Sequence, residues 1–350
     1  MENGPKYAII GGVIVAAIIA GVMGFAATTD TAMVEEPTPT STEPETLTIY
    51  SGRSESLIGP IIEQFEQDTG INTEVRYGKT AGLALAIIEE GENSPADIYF
   101  AQDAGALGAL SKEARLLVIS SSLLQQVDDA FKSPDGEWIG ITGRARVVDY
   151  NINLVDPSEL PASIWGFVEP EWKGKIGWAP PNGSFQSFVT ALRVVEGDDR
   201  AREWLLGIMA NDPVAYSGNT PTVEGIARGE VHVGFVNNYY LQRFLAEDPD
   251  FPVAHHYTDG DAGSMINIAG VGIVDTTQNQ DLSERFIEYM LSDKAQNFFA
   301  TTTYEYPLAG DVNVVGPQSP LENINIPDID LSDLDDLEGT LELLRDINAL

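Results

Sequence analysis

The chain has 350 residues, 43% of them hydrophobic, and is long enough for two domains with cores of their own. Its 54 acidic residues against 19 Lys and Arg give a formal net charge of −35. This charge argues against nucleic acid as a partner, because few cations are present to neutralise phosphates. The absence of cysteine excludes disulfides, thiolate metal sites and a lipid anchor attached through a thioether.

The N-terminal region predicts export. Residues 1–29 contain Lys6 followed by an apolar run over 7–27, which is long enough to span a bilayer. We expect this segment to be a membrane anchor, and a signal peptide cleaved near residues 24–27 is the alternative. Residues 30–46 are rich in Pro, Thr and Glu and predict an extended linker.

From Leu47 the chain alternates predicted strands and helices. Strands are expected over residues 47–50, 73–77 and 97–100, with helices over 57–69, 80–90 and 104–110. This alternation is typical of a parallel α/β sheet, in which ligands bind beyond the carboxyl ends of the strands. The turns after Tyr50 and Phe100 are therefore the first places to look for a binding site.

A second unit begins where the strand over residues 143–151 leaves the first unit, and an apolar strand over 264–271 returns from it. We therefore expect an α/β protein of two lobes, joined by two crossover strands that form a hinge, with a ligand cleft between them. Lobe 1 is predicted to comprise residues 47–145 and 268–311, and lobe 2 residues 146–267. Residues 312–350 are predicted to be an acidic tail with a short helix docked through leucines.

Residues 229–240 are the most informative stretch. A buried strand over 231–236 is predicted to break at Asn237 and Asn238 into a helix that begins near Tyr239. In a first helical turn Tyr239 and Tyr240 lie about 100° apart and can converge on one point. The positive end of the helix dipole favours phenolate, a hard donor suited to Fe(III). Packing at a domain rim, with both hydroxyls in water, is the alternative reading.

Catalytic motifs are absent. The sequence contains no phosphate-binding loop of the Walker type, no HExxH, no GxSxG and no EF-hand loop. There are three histidines, His232, His255 and His256, and no cysteine to act as a nucleophile. We therefore expect a binding protein and not an enzyme.

Several motifs in this order resemble those of the ferric-iron-binding proteins of bacterial and archaeal ABC importers. They are TIYSGR at residues 48–53, SPADI at 94–98, WIGITGRARV at 138–147, EWKGK at 171–175 and GEVHVGFVNNYY at 229–240. The resemblance implies a transferrin-like, two-lobed fold of the type II periplasmic-binding-protein class. It also implies a monomer that delivers Fe(III) to a membrane permease, working at the extracellular face of the membrane or in the periplasm.

The resemblance implies that Tyr239 and Tyr240 are iron ligands and that a synergistic anion, phosphate or carbonate, completes the iron site. The residues implied for the anion are Asn182, Gly183, Ser184, Asn219 and Asn237. Arg53 and Arg144 are able to neutralise such an anion through bidentate contacts, with structural salt bridges as the alternative role.

In lobe 1 the chain departs from the family pattern. Ser54 stands where many members have a His, and Gln102 stands where many have a Glu. Neither brings a charge, so a bound iron would take more of its ligands from water and anion. The adjacent Glu55 and Asp103 are further possible contacts. A receptor of the same fold for another solute, such as a polyamine, an oxyanion or an iron chelate, is the alternative function.

Overall fold

The computed structural model describes residues 46–350. The predicted anchor over residues 1–29 and nearly all of the predicted linker lie outside this range. Within the described range, no helix combines the length and the apolar character needed to cross a bilayer.

The first part of the described chain alternates strands and helices, as expected. Its elements are β1 (Thr46–Ser51), α1 (Glu55–Thr69), β2 (Asn72–Tyr77), α2 (Thr80–Glu90), β3 (Ile98–Ala101), α3 (Ala104–Lys112), β4 (Leu116–Leu117) and α4 (Ser121–Leu124). Helix α1 illustrates the cause, since Ile58, Ile61, Ile62 and Phe65 form one buried face. It ends where Gly70 adopts a φ of 73°, a left-handed conformation that glycine accepts without strain.

The second part contains a long strand and a group of larger helices. The elements are β5 (Trp138–Asn151), β6 (Ile176–Trp178), α5 (Gly183–Glu196), α6 (Asp198–Ala210), β7 (Val214–Ala215), α7 (Asn219–Ala227), β8 (Val233–Asn237), α8 (Asn238–Glu247) and β9 (Val253–His256). The chain then continues through β10 (Ile266–Val274), α9 (Gln280–Leu291), α10 (Asp293–Phe298), β11 (Tyr306–Pro307) and α11 (Leu337–Asp346).

The strands form one sheet path in the order β2-β1-β3-β10-β5-β8-β6-β7. All 14 residues of β5 are buried, and this strand belongs to both halves of the path. Up to Ala145 it pairs with β10, whereas from Arg146 onward it pairs with β8. The backbone N–H of Arg146 donates to the carbonyl of Met265, where the chain returns through β10. The predicted two-lobed α/β fold with two hinge strands is thereby confirmed.

We use lobe 1 for the elements around β1, β2, β3 and β10, and lobe 2 for those around β6, β7 and β8. The core of lobe 2 places Trp204 edge-on to Phe235, with ring centroids 5.2 Å apart, and to Phe188 at 5.4 Å. Because Phe235 lies in β8, this cluster fixes the strand that leads into the two tyrosines.

The acidic tail contains the predicted short helix, α11, with Leu343, Leu344 and Ile347 buried. Before α11, a short helical turn at Leu331–Asp335 lies mainly on α3 of lobe 1 and also contacts α5 of lobe 2. Helix α11 itself lies on α5 of lobe 2. The tail therefore connects the lobes a further time, in addition to the two hinge strands expected from the sequence.

Candidate functional site

A cavity of about 460 Å³ lies between the lobes. Helices α2 and α3 line it from lobe 1, helix α5 lines it from lobe 2, and the tail contributes Leu334, Asp335 and Leu337. A second cavity, of about 450 Å³, is lined by Ser54, Arg243 and Glu305 among others. Both cavities are also lined by Tyr239, Tyr240 and Gln102. The two tyrosines therefore stand at the centre of the cleft.

The tyrosines occupy the first turn of α8, as the sequence predicts. Their ring centroids are 4.3 Å apart with an interplanar angle of 31°. The preceding residue, Asn238, is fully buried and accepts a hydrogen bond of 2.9 Å from the backbone N–H of Ala145. This bond holds the start of α8 against the hinge strand β5. The side chains of Tyr239 and Tyr240 are both half-buried.

The surroundings of Tyr239 favour the protonated form of its phenol. Burial raises the pKa of Tyr239, and the neighbouring Tyr240 raises it further. The Arg144 guanidinium acts in the opposite direction, since it favours a phenolate. The exposed Arg243 lies over both rings, with its guanidinium carbon 5.2 and 5.5 Å from their centroids. A cation bound here must displace protons from the phenols.

The residues implied for an anion lie together on the lobe 2 side of the cleft. Asn219 Nδ2 donates to Asn182 Oδ1 at 3.2 Å and to Ser184 Oγ at 3.0 Å. Asn219 Oδ1 accepts from the backbone N–H of Asn237 at 3.2 Å. Gly183 is the first residue of α5, and the space beside its Cα is open.

This asparagine cluster joins the starts of three helices. Asn182 caps α5 through its side chain, Asn219 is the first residue of α7, and Asn237 immediately precedes α8. Each helix start carries unpaired backbone N–H groups and a partial positive charge. The starts of α5 and α8 line the cavity, and two such ends favour an anion more strongly than one does.

Two arginines complete the positive wall of the cavity, and one of them was not singled out from the sequence. Arg144 and Arg146 both line it, and the Nε of each is buried without a hydrogen-bond partner among the described residues. The guanidinium of Arg146 donates to Phe235 O at 2.6 Å and to Asn237 Oδ1 at 3.3 Å. Burial lowers its pKa to about 9, an effect that nearby Asp149 opposes. The sequence does contain a signal for Arg146, because residues two apart on a strand share a face and Arg144 was already a candidate.

Arg53 has a different position from the one expected of an anion-binding residue. It does not line the main cavity, and its two terminal nitrogens donate to Glu305 at 3.0 and 2.8 Å. Both side chains are almost completely buried, at 0% and 4% exposure. Its contacts match the structural salt bridge that the sequence left open. Glu305, 252 residues away in sequence, was not predicted.

The four lobe 1 candidates have different positions. Gln102 lines both cavities and Ser54 lines the second. Asp103 lines the main cavity, but its carboxylate caps α3 by accepting from the N–H of Ala106 at 3.2 Å. Glu55 is exposed on the first turn of α1 and lines neither cavity. Within residues 46–350, no group of three or more His, Cys, Asp or Glu side chains is placed to share a metal ion.

Comparison with known proteins gives consistent matches along the chain. A family model described as bacterial extracellular solute-binding protein matches residues 90–333. Iron uptake protein A1 of Synechocystis sp. is 32% identical over 281 residues, which are 77% of this chain and 78% of that protein. Iron-bound HitA from Pseudomonas aeruginosa superposes with a TM-score of 0.77 at 29% identity, covering 87% of this chain and 99% of that one.

A Trichodesmium protein solved with iron and citrate ligands superposes with a TM-score of 0.76 at 28% identity, covering 86% of this chain and 99% of that one. These matches confirm the resemblance to ferric-iron-binding proteins and the two-lobed type II fold. The superposed structures are covered almost completely, and the family model matches more than half of this chain. The chain therefore belongs to the bacterial extracellular solute-binding protein family.

Proposed function

We propose that this protein is the solute receptor of an ABC importer, and that it captures Fe(III) with a synergistic anion between its lobes and delivers it to a membrane permease. The observation that carries the proposal is the pair Tyr239 and Tyr240, held on the first turn of α8 at the centre of the cleft. Two phenolates are hard oxygen donors that suit a trivalent cation. The similarity to an iron uptake protein of Synechocystis and to iron-bound HitA supports iron as the solute.

The protein supplies only part of the ligand set. Ser54 and Gln102 line the second cavity together with the tyrosines but carry no charge, and Asp103 is engaged as a helix cap. The remaining coordination positions are left to the anion and to water. An anion with several oxygen donors fits this incomplete set better than one with few.

The anion would lie against Asn182, Gly183, Ser184, Asn219 and Asn237, with Arg144 and Arg146 neutralising it. Both arginines line the cavity, where their guanidinium groups are suitable for charge-assisted hydrogen bonds to an anion. Phosphate and carbonate both meet these requirements. The volume of about 460 Å³ also accommodates a larger polycarboxylate, and citrate accompanies iron in the Trichodesmium protein.

Binding between two lobes implies a mechanism of closure. Residues from both lobes line the cleft, so a ligand that contacts both favours the closed arrangement. The closed shape would be what the permease recognises. We place the described part of the chain outside the cell membrane, with residues 1–29 as the proposed anchor or signal. No catalytic role is proposed.

Capture of an intact iron chelate is the second candidate. The uncharged Ser54 and Gln102 favour it, since a chelated iron needs fewer protein ligands. The binding site would be the same, and the iron would arrive with its organic ligand.

The deciding experiment is a visible spectrum of the full chain, purified in mild detergent, after addition of Fe(III) with phosphate, bicarbonate or citrate. We expect a broad phenolate-to-iron charge-transfer band and one iron per chain. If a folded protein shows no band with any of these anions, the iron proposal is wrong. A band seen with citrate alone, with citrate retained after desalting, would favour the chelate.

Arg146→Gln is expected to weaken anion-dependent iron binding about 10- to 100-fold, because a hydrogen bond to a charged group contributes about 1.5–3 kcal/mol. The amide keeps a polar group beside Phe235 and Asn237 but removes the charge. Iron titration at increasing phosphate or citrate measures the effect. Arg243→Gln, which removes an exposed cation over the same rings, is the matched control. Equal losses in both variants would show that Arg146 has no specific role.

A further inference from the structure

The acidic tail contributes a wall of the ligand cleft. Leu334 and Asp335 line the cleft beside lobe 1, and Leu337 lines it at the start of α11. We propose that residues 331–346, which we call the strap, set the separation of the two lobes. The inference concerns lobe geometry and holds whichever solute the cleft takes.

On lobe 1, the strap is anchored by close backbone packing. A Cβ added to Gly105 of α3 would lie 2.3 Å from the carbonyl oxygen of Leu334, and one added to Gly108 would lie 2.2 Å from that of Ser332. The indole N–H of Trp138 donates to Ser332 Oγ at 3.2 Å. Only glycine at both helix positions permits this approach.

On lobe 2, the strap is anchored through α11. Leu343 and Leu344 are buried, and the hydroxyls of Thr340 and Thr190 of α5 lie 2.8 Å apart in a buried hydrogen bond. Arg193 of α5 donates to Thr340 Oγ1 at 3.0 Å. Burial of these leucines makes the lobe 2 anchor largely apolar.

Between the two anchors there is one residue, Asp336. The helical turn on lobe 1 ends at Asp335, and α11 on lobe 2 begins at Leu337. Consecutive Cα atoms are fixed about 3.8 Å apart, so this connection has almost no slack. The lobes cannot separate here unless one anchor detaches, and opening must therefore pivot near Asp336.

Ion pairs are not the main source of this constraint. Lys112 contacts Asp335 and Arg193 contacts Asp336, each at 2.8 Å, but at least one partner of each pair is half exposed. Exposed pairs contribute little to stability. The constraint therefore depends on the glycine contacts and on the leucines, and it should persist at high salt.

The test uses Gly105→Ala/Gly108→Ala, which pushes the strap off α3. Gly82→Ala on α2 is the matched control, since its added Cβ would meet nothing nearer than 3.9 Å. Because the native chain has no cysteine, Gln67→Cys and Leu206→Cys place one spin label on each lobe at exposed positions. The interlobe distance is then measured by pulsed electron resonance on the full, ligand-free chain.

We expect the double variant to shift the distance distribution outward by about 4 Å or more, one residue step, while the control matches the parent. Amide hydrogen exchange in residues 331–346 reports whether the strap has left α3. A released strap with an unchanged distance distribution would overturn the proposal.

If the strap stays on α3 in the alanine variant, a four-residue Gly-Ser insertion between Asp335 and Asp336 tests whether the strap sets the separation of the lobes. It should widen the distribution, whereas the same insertion between Asp248 and Pro249, at the exposed far end of α8, should not. An unchanged distribution after the first insertion would equally overturn the proposal.

Discussion

Replacing Tyr239 and Tyr240 together by Phe is expected to abolish the visible band of the iron-loaded protein and to lower ferric affinity by more than about 100-fold. Loss of outer-shell partners alone typically costs 10- to 100-fold in metal affinity, and this change removes both proposed protein ligands. The measurement is a spectral titration at a fixed concentration of anion. The ring centroids of Tyr239 and Tyr240 are 4.3 Å apart, and Phe at both positions keeps this ring packing. The fold should therefore be preserved.

Tyr216→Phe is the control for this experiment. Tyr216 belongs to lobe 2, and its hydroxyl donates a hydrogen bond of 3.1 Å to the Glu230 carboxylate, but it lines neither cavity. The band should survive in this variant. A band of full intensity in the double variant would place the iron elsewhere and contradict the proposed ligands.

The acid–base chemistry of the pair gives the direction of its pH dependence. Burial and Tyr240 raise the pKa of Tyr239, so its phenol is protonated at neutral pH in the free site. Iron binds the deprotonated phenolates, and protons therefore compete with it more strongly as the pH falls. The band of the wild-type protein should weaken on acidification, because the phenols regain their protons.

Local sequence signals were sufficient to predict that the two tyrosines lie in the first turn of a helix that follows a buried strand. The apolar strand, the two asparagines and the following helical face all lie within residues 231–245, so their periodicity predicts where the strand ends and the helix begins. The same holds for Asn182-Gly183-Ser184 at the start of α5. These features depend on neighbours in sequence, where pattern reasoning is most reliable.

The remaining features depend on contacts between distant parts of the chain. The partner of Arg53 is Glu305, 252 residues away, and nothing near either residue indicates the pairing. The docking of the tail on Gly105 and Gly108 is equally non-local, because a glycine in a helix does not show what approaches it. Periodicity reports which face is buried but not what covers it.

Arg53→Met is expected to destabilise the fold by about 3–5 kcal/mol, since it leaves the buried carboxylate of Glu305 without its main cation. Arg144 remains, but its Nε is 3.8 Å from Glu305 and makes no hydrogen bond to it. Urea unfolding followed by circular dichroism measures the loss. The effect bears on the site, because Glu305 lines the second cavity and acts to raise the pKa of Tyr239.

The double variant Arg53→Met/Glu305→Gln should recover much of this loss, because the amide removes the buried charge and still accepts hydrogen bonds from Thr142 and Thr303.

The pH dependence of the unfolding free energy gives an independent check on the Arg53–Glu305 pair. Burial acts to raise the pKa of Glu305, but the charge and hydrogen bonds of Arg53, with smaller effects of Arg144 and Thr303, hold this pKa below its usual value. The pair therefore contributes its stability above the unfolded-state pKa of about 4.3 and loses it as pH falls through the folded-state value. The advantage of the wild-type protein over the double variant should shrink on acidification. A cost below about 1 kcal/mol for Arg53→Met, or no recovery in the double variant, would show that the pair is not the buried ionic constraint its contacts indicate.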